Sequence, residues 1–177
     1  MKIAVISYSL TGNNEVLAKG VAGALPAEHI RLTEDKRRTN ATIFGDVVLG
    51  RTPKVRPGPE SMAPYDLVIF VGPVWMGTAA FPFRAYFRRL KKEAKRYAYI
   101  SLSGGSLGSN TKLSANLKKQ TGRAPEAVVD LHIADLLPQD PKPTTKDIGA
   151  YRVSEETARR LTGTVVGKLR EKVLKEA

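Results

Sequence analysis

The 177-residue chain contains no cysteine. Disulfides, thiol redox chemistry, Fe–S clusters and cysteine-based zinc sites are thereby excluded, so any redox role must fall to a bound cofactor. Imidazole is scarce as well. His29 and His132 are the only histidines, and both fall in expected strands with no carboxylate or second histidine at ligand spacing, so both are read as structural or surface residues. There is no apolar run of about 18 residues to span a membrane and no basic-then-apolar leader; the expected localisation is cytoplasmic. Neither a Gly-x-Gly-x-x-Gly fingerprint nor a Walker lysine is present, which removes local support for dinucleotide or P-loop binding. Acid is in short supply: 29 Lys and Arg stand against 17 Asp and Glu, a net charge of +12. Such a surface attracts acidic partners and polyanions.

A domain of this length buries roughly 70% of the surface its unfolded chain exposes. Neither a repeat nor a linker divides the chain, which is read as one domain over 1–177. Residues 2–8 form a short apolar run without strict alternation, the pattern of a central strand covered on both faces. Val16, Leu17, Val21 and Leu25 recur at helical spacing over 14–25, and Pro26 ends that helix. A second strand follows at 28–32. Over 33–64 the pattern weakens: 34–38 is polar, 40–49 reads as a short helix stopped by Gly50, and 51–64 is Pro-rich and irregular. Residues 66–71 are a third, buried strand, and the helix expected over 83–95 turns Phe83, Tyr86, Phe87 and Leu90 to one side. A fourth strand at 97–102, a helix over 111–121 closed by Gly122 and a fifth strand at 127–133 complete the alternation. Beyond the Pro-rich passage 138–143, Ser154 is the expected N-cap of a last helix with Ala158, Leu161, Val165, Leu169 and Val173 on one face. Strands and helices alternating in this way predict a parallel sheet with helices on both faces.

In such a sheet ligands bind beyond the carboxyl ends of the strands, where strand order reverses. The loop after the first strand, Ser7-Tyr8-Ser9-Leu10-Thr11-Gly12-Asn13-Asn14, sets hydroxyls, amides and a glycine before a helix N-terminus, an arrangement that can cradle a phosphate. The same residue types also make an ordinary capping turn. After the third strand comes Gly72-Pro73-Val74-Trp75-Met76-Gly77-Thr78. Two arrangements are open to Trp75: stacking on a planar heterocycle, or folding back onto Phe81 or Phe83. After the fourth strand, Ser103-Gly104-Gly105-Ser106 begins a Gly/Ser loop able to bring main-chain N–H groups to a ring edge.

Tyr8-Ser9-Leu10-Thr11-Gly12-Asn13, Gly72-Pro73-Val74-Trp75-Met76-Gly77 and Ser103-Gly104-Gly105, in that order, resemble the three FMN loops of the flavodoxin family. The resemblance spans about residues 2–133. It implies a flavodoxin-like α/β three-layer sandwich with a five-stranded parallel sheet of order 2-1-3-4-5, and FMN as cofactor. It also implies that Ser9, Leu10, Thr11, Gly12, Asn13 and Asn14 surround the phosphate, with Ser9, Thr11, Asn13 and Asn14 as its ligands. Pro73, Val74, Trp75, Met76 and Gly77, with Ser103, Gly104 and Gly105, would surround the ring. The chain departs from the family in three ways. Asn14 stands where flavodoxins usually carry Thr, the third loop lacks the usual Tyr over the ring's second face, and the charge is basic where flavodoxins are acidic.

The resemblance implies an FMN-binding redox protein, either an electron carrier or an FMN-dependent oxidoreductase. An open ring face would also suit an NAD(P)H-dependent quinone or FMN reductase. The expected partner is a redox protein with an acidic surface or a small electron acceptor. A reading of another class is a flavin-free basic module for acidic partners or nucleic acid, supported by the charge alone. The cations at Arg84, Arg88, Arg89, Lys91, Lys92, Lys95 and Arg96 are read first as a solvated helix face.

Overall fold

A computed structural model describes residues 1–35, 45, 51–105 and 108–174. Apart from Gly45, the helix expected at 40–49 lies outside the described residues, as does the Ser106-Leu107 part of the third loop. Seven strands are described: β1 (Ile3–Ser7), β2 (Ala27–Arg31), β3 (Leu67–Val71), β4 (Val74–Trp75), β5 (Thr78–Ala79), β6 (Arg96–Ser103) and β7 (Val128–His132). The five long ones form a parallel sheet of order β2-β1-β3-β6-β7, while β4 and β5 form a separate antiparallel hairpin. Counting only the five long strands, this is the expected order.

Among the described residues the α-helices are α1 (Asn13–Ala24), α2 (Arg84–Glu93), α3 (Leu113–Thr121), α4 (Thr145–Ala150) and α5 (Glu155–Lys172). Side chains of β1, β3 and β6 alternate between two cores, as the two-residue period of a strand requires. Ile3 and Val5 face an aliphatic core with Leu17 and Val21 of α1 and Leu161, Val165 and Leu169 of α5. Ala4 and Ile6 face a second core with α2 and α3. That core is aromatic: the Phe70 ring meets Phe87 at 5.2 Å, Phe83 at 5.3 Å and Tyr86 at 6.1 Å, all edge-on.

Helix termini follow local chemistry. Ser154 caps α5 by accepting from the Thr157 N–H at 3.2 Å, and Gly122 ends α3 with φ +80°, where a side chain would be strained. Two elements were not expected. The β4–β5 hairpin turns on Met76 and Gly77, both at positive φ, the backbone that two-residue hairpins favour. Helix α4 starts from a capping box between Thr144 and Asp147, and hydrogen bonds donated by the Thr144 hydroxyl and, less, by its N–H hold the Asp147 carboxyl below its ordinary pKa. One residue is corrected: Val16, expected on the buried face of α1, is 39% exposed, whereas Leu17, Val21 and Leu25 are buried.

Candidate functional site

The strand order reverses between β1, which leads through α1 to β2, and β3 on its other side. Three loops meet the carboxyl edge there, after β1, β3 and β6.

The β1–α1 loop turns on Gly12, at φ +93°, with nothing within 4 Å of where a Cβ would stand. Gly12 therefore serves the backbone turn and fills no packing gap. The Ser9 hydroxyl oxygen accepts from the N–H groups of Gly12 (3.0 Å) and Asn14 (3.2 Å). Among the described residues, the Thr11 hydroxyl and the main-chain N–H groups of Leu10, Thr11 and Asn13 have no hydrogen-bond partner. Donors therefore gather at the positive end of the α1 dipole, which is the composition of an anion site. Nearby Glu15 is engaged by Lys19 (3.2 Å) and Arg31 (3.1 Å).

Asn13 and Asn14 are 2% and 3% exposed, and their amides are committed elsewhere. Asn13 Nδ2 donates to the Tyr151 carbonyl (3.1 Å), and its Oδ1 accepts from the Val153 N–H (3.0 Å). Asn14 Nδ2 donates to the Leu102 carbonyl (2.8 Å), and its Oδ1 accepts from the Leu102 N–H (3.0 Å). Each side chain thus closes a buried main-chain gap, and because the Asn14 N–H already donates to Ser9, the Asn13 N–H is the donor these two residues leave to face a ligand.

The second loop is the β4–β5 hairpin. Tyr99, fully buried, donates to the carbonyls of Gly72 and Pro73 (both 3.1 Å) where β3 leaves the sheet, and burial pushes its hydroxyl well above the ordinary tyrosine pKa. Gly72 has no room for a side chain, since a Cβ would stand 2.4 Å from the Phe83 ring. Val74 pairs with Ala79, and Trp75 with Thr78. Helix α3 braces the tip: Asn116 Nδ2 donates to the Gly77 carbonyl (2.8 Å) and Gln120 Nε2 to the Thr78 hydroxyl (3.0 Å).

Of the two arrangements open to Trp75, the structure shows it folded onto Phe81, with centroids 5.6 Å apart, and edge-on to Tyr8 at 5.9 Å. It is still half-exposed. Tyr8 in turn donates to the Glu34 carboxylate at 2.7 Å. Met76 is 72% exposed at φ +51°, a conformation that costs a non-glycine residue about 1 kcal/mol. Leu10, in the first loop, is 43% exposed. Apolar side chains turned outward from two loops of one sheet edge are what a partly apolar ligand would cover.

In the third loop Ser103 is buried and bonds Ser101 through its hydroxyl (2.7 Å). Gly104 and Gly105 accept through their carbonyls from Ala134 and Gly108 (both 3.0 Å), while their N–H groups have no partner among the described residues. Gly105 sits at φ +79°, and a Cβ there would stand 2.4 Å from His132. His132 is not isolated from carboxylates as expected. Its Nε2 lies 3.0 Å from Asp130 and its Nδ1 3.5 Å from Asp135, and Asp130 also accepts from the Asn110 N–H (3.0 Å). These residues clamp both ends of the loop, and they place the Asp130 and Asp135 carboxylates beside His132. Sequence reasoning missed them, although Asp130 and His132, two residues apart on one strand, necessarily share a face.

His29, on β2, meets the Ser7 hydroxyl at 2.8 Å. Burial lowers its pKa below 6.5; the Glu15 carboxylate opposes that shift, and Lys19 and Arg31 reinforce it. Among the described residues no group of three His, Asp or Glu could hold a metal ion, and no helix is long and apolar enough to cross a membrane.

No family model and no curated protein matches the sequence. Solved structures do match. A flavoprotein of Lactobacillus acidophilus NCFM in complex with FMN superposes with a TM-score of 0.62 at 18% identity, over 73% of this chain and 92% of that one. A candidate flavoprotein of Bacteroides eggerthii matches over 93% of this chain and 97% of that one, with a TM-score of 0.63 and 19% identity. The Trp repressor binding protein of Bacillus subtilis matches over 95% and 100%, with a TM-score of 0.54 and 15% identity. With its strand order and helices on both faces, the chain has the flavodoxin-like α/β fold.

Proposed function

We propose that the chain binds FMN at the carboxyl edge of its sheet and works as a redox protein, an electron carrier or an FMN-dependent oxidoreductase. The observation that carries this reading is the set of unpartnered donors before α1, the N–H groups of Leu10, Thr11 and Asn13 with the Thr11 hydroxyl. They suit a phosphate without any basic side chain. The FMN complex of a protein with the same fold supports it. Trp75, Met76 and Gly77 on the hairpin, and the Gly104 and Gly105 N–H groups, would border the ring; Ser9 and Gly12 would shape the phosphate turn. FMN, when bound, supplies the electron chemistry, and the chain supplies position and surroundings.

A second reading, an NAD(P)H-dependent quinone or FMN reductase, is favoured by one feature: residues 103–110 carry no aromatic side chain to cover the ring's second face. Adding FMN-free protein to FMN tests the common core of both readings. Flavin fluorescence should quench to a 1:1 end point, and Thr11→Ala should weaken the binding. Fluorescence unchanged by excess protein would rule both readings out.

A further inference from the structure

Helix α2 buries Tyr86, Phe87 and Leu90 and carries five cations among its ten residues. Three concavities of about 330, 350 and 450 Å³ lie along this face, and Arg88 lines all three. Arg89 and Lys92 join it in the first, Arg84 in the second, Lys54 and Arg56 in the third. Among the described residues that line these hollows there are two carboxylates, both already paired: Glu93 with Arg89 at 2.7 Å and Asp35 with Arg56 at 3.3 Å. Arg88 is exposed and makes neither an ion pair nor a hydrogen bond among the described residues. An open guanidinium fork at the junction of three hollows is suited to a carboxylate held by two parallel hydrogen bonds.

The face also adjoins the second loop. The Arg84 guanidinium lies 3.9 Å above the Phe81 ring, which touches Trp75. Gln120, on the wall of the Arg84 hollow, donates to Thr78 of the hairpin. We infer that this face is a docking site for a protein partner with a carboxylate-rich surface, anchored at Arg88 and seated beside the Trp75 hairpin.

Protein carboxylates fit better than nucleic-acid phosphates for two reasons. The aromatic residues of α2 are buried, so the cationic helix itself offers no stacking platform among its charges for bases. The hollows combine apolar wall atoms of Pro59, Ala85 and Phe87 with a charged rim, the make-up of a protein–protein interface. The docking stands apart from the FMN reading, which concerns only what a docked partner exchanges with a flavin.

The test uses two fluorescent probes, a glutamate-rich peptide and a DNA duplex, each titrated with the full chain with and without FMN at salt from about 50 to about 300 mM. The peptide should bind with or without FMN, and more weakly as salt rises. Arg88→Ala/Lys92→Ala should weaken it about tenfold, while Arg159→Ala/Arg160→Ala on α5, an equal loss of charge elsewhere, should leave it within about twofold. Unaltered FMN affinity and melting in both variants would keep a failure here separate from a failure of the flavin reading. Equal weakening by the two pairs, absence of peptide binding, or duplex binding that is tighter than the peptide's and lost with Arg88 would each overturn the inference.

Discussion

The Asn14 side chain takes the place of a strand beside Leu102. Ile100 accepts from the Gly72 N–H at 3.0 Å on the β3 side, and two residues further along β6 the Leu102 N–H and C=O point the same way. By then β3 has left the sheet at Gly72 and Pro73, whose carbonyls are taken by Tyr99. The Asn14 amide supplies the missing donor and acceptor, at 2.8 and 3.0 Å, and so ties the β1–α1 turn to the strand that leads into the third loop.

Asn14→Ala orphans two buried main-chain groups and should destabilise the FMN-free protein by roughly 2–4 kcal/mol. Urea unfolding measures this. A loss below about 0.5 kcal/mol would mean that water replaces the amide without cost.

Trp75 is half-exposed and packs edge-on against the aromatic core without entering it. Trp75→Ala should therefore leave a cooperative melt and weaken FMN binding by about 1–3 kcal/mol, the scale of one aromatic stack on a planar base. Loss of the melt in the variant would instead make Trp75 a core residue.

His29 makes stability fall with acid. Its folded pKa lies below 6.5, so the unfolded chain takes up a proton near 6.5 while the fold resists it. Stability is full above that pH and declines as pH drops toward the folded pKa. His29→Gln should flatten the decline in denaturation midpoint between about pH 7.5 and about pH 5.5. An identical decline in both proteins would assign it to other groups.

The strands, the helix faces and the positions of the three loops were legible in the sequence because they rest on long apolar runs and helical spacing, whereas the strand order came from the resemblance of the loops to the flavodoxin family. The buried side chains of β1, β3 and β6, and the face formed by Leu161, Val165 and Leu169, follow from pattern alone. The hairpin at Met76 and Gly77 was not legible, because strands of two residues are too short to show alternation. The roles of Asn13 and Asn14 were hidden for another reason. An amide is equally suited to a ligand and to an orphaned peptide, and which it meets depends on where β3 leaves the sheet and where 151–153 passes. Thr144 and Asp147 did carry a readable cap signal just after the Pro-rich passage 138–143.

Comparing FMN with riboflavin tests the proposed phosphate site before α1 most directly, because the two ligands share a ring and differ in the phosphate. Titration calorimetry of the FMN-free protein should show FMN binding far more tightly than riboflavin, with Thr11→Ala narrowing the gap. Equal affinities for the two would contradict the assignment of the turn before α1 to phosphate.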